Sequence, residues 1–76
     1  MKYELAEKQL YEMQKRFTYH APKNGQPTRY VEIRETYLAV ALGLCQNCPE
    51  SRELSLALTK LEESVMWANA AIARNE

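Results

Sequence analysis

Apolar residues recur at helical spacing in three stretches of the chain, and two turn-forming segments separate them. The third stretch is the most regular. Leu54, Leu58, Leu61, Val65, Ala68 and Ile72 step by four, three, four, three and four. Such a seam belongs to a helix packed closely on a neighbour, and it predicts a helix over 49–75. In the second stretch Tyr30, Ile33, Tyr37, Ala41, Leu44 and Cys45 share one face, while Val31, Glu35, Leu38 and Leu42 share another. This predicts a helix over 29–46 that is apolar on two sides and therefore covered on two sides. The first stretch is weaker. Leu5, Gln9 and Met13 form one line and Tyr3, Leu10 and Phe17 another, with Lys and Glu interleaved. A helix over 1–16 is expected there, marginal alone and dependent on docking.

The segments between these stretches punctuate them. Residues 17–28 read FTYHAPKNGQPT, and Pro22, Pro27 and the Asn24–Gly25 pair argue against regular helix. Proline removes a backbone donor and glycine admits positive φ. Thr28 is the expected N-cap of the second helix. In the next turn Cys48 takes the N-cap slot, Pro49 the first helical position, and Glu50 and Glu53 the first turn, where acidic groups suit the helix dipole. A short link between two long helices makes an antiparallel hairpin. The expected fold is all-α: a two-helix hairpin with a short N-terminal helix, in one domain over 1–76.

Length sharpens that picture. A chain of 76 residues is marginal for a core of its own. Two long helices and one weak helix cannot close a core, so a compact homo-oligomer is expected.

Charge narrows the partners. Ten basic and ten acidic side chains balance, whereas proteins that ride on long DNA or RNA carry a basic excess or stripe. Polymeric nucleic acid is therefore not the expected partner, although a small anion needs only a few placed cations. No apolar run approaches the length that spans a bilayer. The opening MKYELAEKQLYEMQKRF lacks the apolar core of a secretory signal, and a cytosolic protein with no membrane partner is expected.

Candidate chemistry is sparse. Cys45 and Cys48 form a single C-x-x-C, and His20, the only histidine, leaves a zinc site one ligand short. They read as small residues at a helix end, and no metal or cofactor is expected. Neither a phosphate-binding glycine loop nor an H-E-x-x-H is present. Glu62 and Glu63 are adjacent and diverge around a helix. The chain reads as a binding protein rather than an enzyme.

Phe17, Tyr19, His20 and Tyr30 flank the proline-containing loop, interleaved with Lys23, Arg29 and Arg34. Flat rings stack on bases while Lys and Arg hold phosphates. The plainer reading makes Phe17 and Tyr30 core residues and the charges solvated surface. In the last helix Trp67 and Arg74 have plain roles as seam filler and dipole partner. Asn69, set among Ala68, Ala70 and Ala71, is a polar group that needs a partner.

Two blocks, FTYHAPKNGQPTRYVEIRE and CPESRELSLALTKLEESVMWANAAIARN, resemble the helical-hairpin domain of phage anti-CBASS sponges, a domain shared with anti-Thoeris sponges. The resemblance spans Phe17 to Asn75. It implies a non-enzymatic counter-defence protein in the cytoplasm of the infected bacterial host. Such proteins bind cyclic dinucleotides and cyclic trinucleotides and hold them intact, so that CBASS effectors stay inactive. It further implies a homohexamer. Carried over by position, it implies that the Tyr19–His20 pair faces base and phosphate, with Lys23, Arg29 and Arg34 as cationic partners. Thr59, Lys60, Asn69 and Arg74 then serve a second pocket type or the subunit seam. Capture of cyclic ADP-ribose-type signals, and a helical protein-interaction module, are the alternatives.

Overall fold

The computed structural model describes residues 3–76 and is all-helical there. Its elements are α1 (Glu7–Phe17), α2 (Gln26–Asn47) and α3 (Arg52–Asn75). Helix class is as the periodicity predicts, but every helix start moves. The helix expected over 1–16 begins at Glu7, and Met1 and Lys2 lie outside the described residues. Gln9 fixes that start: its side-chain Oε1 accepts from the Ala6 N–H at 3.2 Å, reaching back to a donor the helix leaves free.

The helix expected over 29–46 runs instead from Gln26 to Asn47, so Thr28 is not its cap. Pro27 lies in the first turn, where its missing N–H costs nothing. Gly25, at φ +81°, is the residue that turns the chain into the helix. The loop is thus shorter than 17–28. Gln26 is the one buried residue among those described, 3% exposed. Its Oε1 accepts from the Lys23 N–H at 2.9 Å and its Nε2 donates to Glu76 Oε1 at 3.2 Å.

The second turn also differs from expectation. Cys48 caps the end of α2, its N–H donating to Leu44 O at 2.9 Å, and Asn47 Nδ2 donates to Gly43 O. Pro49 and Glu50 lie between the helices. Ser51 is the N-cap of α3, with Oγ accepting from the Leu54 N–H at 3.1 Å, and Glu53 alone supplies the acidic first turn. A hydroxyl meets a free helical N–H better than a thiol does, which is why the helix starts three residues after the expected one.

The predicted seams meet. Leu54, Leu58, Leu61, Val65, Ala68 and Ile72 on α3 are all half-buried, as are Tyr30, Ile33, Tyr37, Ala41 and Leu44 on α2. Cys45, expected on that face, is exposed. Packing is principally of α2 on α3, and mid-helix the Tyr37 hydroxyl and Ser64 Oγ lie 2.6 Å apart. The second apolar face of α2, including Val31, Leu38 and Leu42, is open to solvent. So is the apolar stripe of α1, with Leu10, Met13 and Phe17 exposed.

These helices lie nearly in one layer, 53 × 38 × 14 Å. The thin dimension is little more than one helix diameter of about 10–12 Å. The radius of gyration is 17.3 Å, against about 11 Å for a compact domain of this length. The accessible surface is 6663 Å², roughly 1,900 Å² above the ~4,800 Å² of a compact protein of this mass. Burial needs two layers, and among the described residues no hydrophobic side chain is fully buried.

Candidate functional site

Two open clefts flank α3. The larger, about 680 Å³, lies between α2 and α3 and is lined by Arg34, Glu35, Tyr37, Leu38, Thr59 and Glu62 among others. The other, about 530 Å³, lies between the end of α1 and the end of α3, with Lys15, Arg16, Phe17, Trp67 and Arg74 in its walls. Both fall within the roughly 300–1,000 Å³ of ligand sites.

The nine sequence-derived residues do not converge: five fall in three places and four stand apart. Arg34 and Thr59 come together at the α2–α3 groove. Lys23 and Arg29 converge elsewhere, on Glu76. Arg29 grips its carboxylate with both terminal nitrogens, Nη1 to Oε2 at 2.8 Å and Nη2 to Oε1, while Lys23 Nζ donates to its backbone oxygen. Arg74 lines the α1–α3 cleft. Tyr19, 86% exposed, stands on the loop with its ring uncovered. His20 is half-buried and its Nε2 donates to the Lys15 carbonyl at 2.7 Å, tying the loop to α1. Lys60 is exposed and pairs with Glu63 at 3.4 Å. Asn69 faces inward, with its side-chain oxygen buried and without a hydrogen-bond partner among the described residues.

The electrostatics centre on Glu76. Its carboxyl is lowered to about 2, first by the hydrogen bonds from Arg29 and then by that from Gln26. The same bidentate pair raises the Arg29 guanidinium above its ordinary value. Arg pairs with a carboxylate in the fork geometry it also uses for phosphate, so Lys23, Gln26 and Arg29 form a small anion cradle filled by the chain itself. Reading the sequence missed Gln26 and Glu76, because their separation of 50 positions hides a contact made only by folding. It also missed Lys15 and Arg16, whose positions on a charged helix look like solvated surface.

Among the described residues no group of three or more His, Cys, Asp or Glu side chains could hold a metal. None of the helices is long and apolar enough to cross a membrane.

Part of the aromatic and cationic set, Arg34 and Tyr37 in one cleft and Lys15, Phe17, Trp67 and Arg74 in the other, lines open clefts of a thin helical layer. Residues 12–73 match the family model described as Acb2/Tad1, hairpin domain, and the chain belongs to that family, the phage anti-defence sponges of the anti-CBASS and anti-Thoeris type. The match takes in Glu12–Arg16, which the resemblance over Phe17–Asn75 leaves out, and stops before Arg74. Comparison with curated proteins and with solved structures returns no match.

Proposed function

We propose that the chain sequesters cyclic dinucleotides, and cyclic trinucleotides as a second ligand class, without cleaving them, and so blocks CBASS effector activation in the cytoplasm of the infected bacterial host. The observation that carries this reading is the family match over most of the chain. Within it, Tyr19 supplies an uncovered ring for base stacking, and Arg34 with Thr59 supplies a cation and a hydroxyl at one groove. His20 holds the Tyr19 loop against α1 through the Lys15 carbonyl.

In the same proposal α2 and α3 form an antiparallel hairpin. Support comes from the opening of α2 meeting residue 76 and from Tyr37 meeting Ser64. The hairpins assemble as a homo-oligomer, and six copies is the number the family resemblance implies. The roughly 1,900 Å² of surplus surface equals one partner's share of a large obligate interface. Two-fold-related copies would offer the same side chains twice to a ligand with two phosphates.

Calorimetric titration with a panel of cyclic di- and trinucleotides, followed by heat denaturation and chromatography of the released ligand, tests the reading. Tight binding with ligand recovered intact is expected, and Tyr19→Ala or Arg34→Gln should weaken it roughly 10-fold or more. Linear products would make the protein an enzyme. Binding of cyclic ADP-ribose alone would place it with the Thoeris signals, and no binding to any of these would favour a protein-interaction module.

A further inference from the structure

The ring and the cation that the sponge reading brings to one ligand belong to different parts of the chain. Tyr19 goes with α1: its neighbour Thr18 donates through Oγ1 to the Gln14 carbonyl, and His20 donates to that of Lys15. Arg34 and Thr59 belong to the packed pair α2 and α3. Little packing joins the two parts, since contact is principally of α2 on α3 and the apolar stripe of α1 is open to solvent. Where Tyr19 lies relative to Arg34 must be set by other means.

Gln26 supplies a joint. It is buried, and both ends of its carboxamide are used. Oε1 accepts from the Lys23 N–H in the loop, and Nε2 donates to the Glu76 carboxylate beyond α3. A buried amide needs both partners, and because the group is planar its two bonds move together. Arg29 grips the same carboxylate with both terminal nitrogens, and Lys23 Nζ donates to the Glu76 backbone oxygen. The Gln26 N–H donates to the Lys23 carbonyl at 3.1 Å, closing the turn around Gly25. From this joint back to His20 the chain is short and stiff. Pro22 has its φ fixed, and Ala21 before it is held to extended conformations. A displacement of Lys23 is therefore carried to His20 and Tyr19 rather than absorbed on the way.

We propose that Gln26 and Glu76 are positioning residues for Tyr19: together they clamp the loop between α1 and α2 to the end of α3, and so fix the Tyr19 ring relative to Arg34. The inference rests on the sponge reading in taking Tyr19 and Arg34 to meet one ligand. It gives Lys23 and Arg29, cationic partners of the ligand by resemblance, to the clamp instead, since Glu76 already occupies their donors.

The experiment is calorimetric titration of the full chain and its variants with cyclic di-AMP, beside amide hydrogen exchange of each without ligand. Glu76→Ala should weaken binding about 3- to 10-fold. In the Tyr19→Ala background the same change should cost less than about 2-fold, because a residue that acts through the ring has nothing left to position. General destabilisation would cost the same in both backgrounds. Gln26→Met leaves the Arg29–Glu76 pair in place and should reproduce the loss. Exchange at Lys23 and Gln26 should quicken several-fold in Glu76→Ala while that of mid-α1 stays as it is, and circular dichroism should show native helix content.

Equal cost of Glu76→Ala with and without Tyr19, or native affinity in Gln26→Met, would overturn the clamp and leave the sponge reading standing. So would a further loss from Arg29→Gln in the Glu76→Ala background, which would place Arg29 on the ligand. If the native chain binds no cyclic di-AMP, it is the sponge reading for this messenger that falls. Exchange then decides alone: quickened exchange at Lys23 would support the clamp, and unchanged exchange would overturn it.

Discussion

At the scale of single residues, Glu76 and Asn69 are opposite cases of polar satisfaction. The Glu76 carboxylate accepts from Arg29 and Gln26 and is held at about 2, below the roughly 4.3 of an unperturbed glutamate. A folded-state value below the unfolded one means that the unfolded chain binds more protons in the interval between them. The stabilisation is therefore complete above about pH 4.5 and is lost as pH falls towards 2. Thermal melts across that range should show Glu76→Gln less stable than the native chain at pH 6, and the two converging near pH 2. Both partners are solvent-exposed, so the gap should also shrink with added salt. The Asn69 side-chain oxygen is buried without a hydrogen-bond partner among the described residues, and an unpaired buried acceptor costs about 1–3 kcal/mol. Asn69→Leu, which keeps the branched four-atom skeleton without the polar atoms but is bulkier, should raise the denaturant midpoint by the equivalent of up to about 1 kcal/mol. A fall that Asn69→Ala, which adds no bulk, reproduces would instead point to a donor supplied by a sister subunit or ligand.

At the scale of elements, two residues outside the apolar pattern set where the helices begin. Ser51→Ala removes the oxygen that accepts from the Leu54 N–H and should cost about 1 kcal/mol. Gly25→Ala meets no neighbouring atom, so its expected penalty of about 1–2 kcal/mol comes from the left-handed backbone alone. Both losses should appear in chemical denaturation, and Cys48→Ala, outside the cap of α3, should be nearly neutral by comparison. Apolar spacing located the seams of α2 and α3 at every expected position except Cys45, which is exposed, because a four-three step works only on a helix. Helix starts were less legible. A glycine at positive φ, a serine rather than a cysteine, and a glutamine reaching back to Ala6 are choices between capping groups, not features of the repeat.

At the scale of the whole molecule, a single layer of helices leaves α1 and the second face of α2 without cover. Sedimentation should give a mass that is a multiple of the 8.8 kDa chain. Leu38→Lys together with Leu42→Lys should shift it towards the single chain and broaden the melt, since buried lysines at an interface carry uncompensated charge. A native chain that sediments at 8.8 kDa with a sharp melt would remove the basis for the assembly.

The sequence alone determined helix class, the two facing seams, the shortfall of core and the family, since each depends on periodicity, length or residue identity in order along the chain. The tertiary structure alone decided which charges meet. Lys23 and Arg29 turn to Glu76 rather than joining Arg34, and Trp67 and Arg74 of α3 line one cleft with Lys15 of α1. Electrostatic and stacking partners are chosen by distance in space, and residues 47 and 50 positions apart acquire that distance only when α2 and α3 have packed.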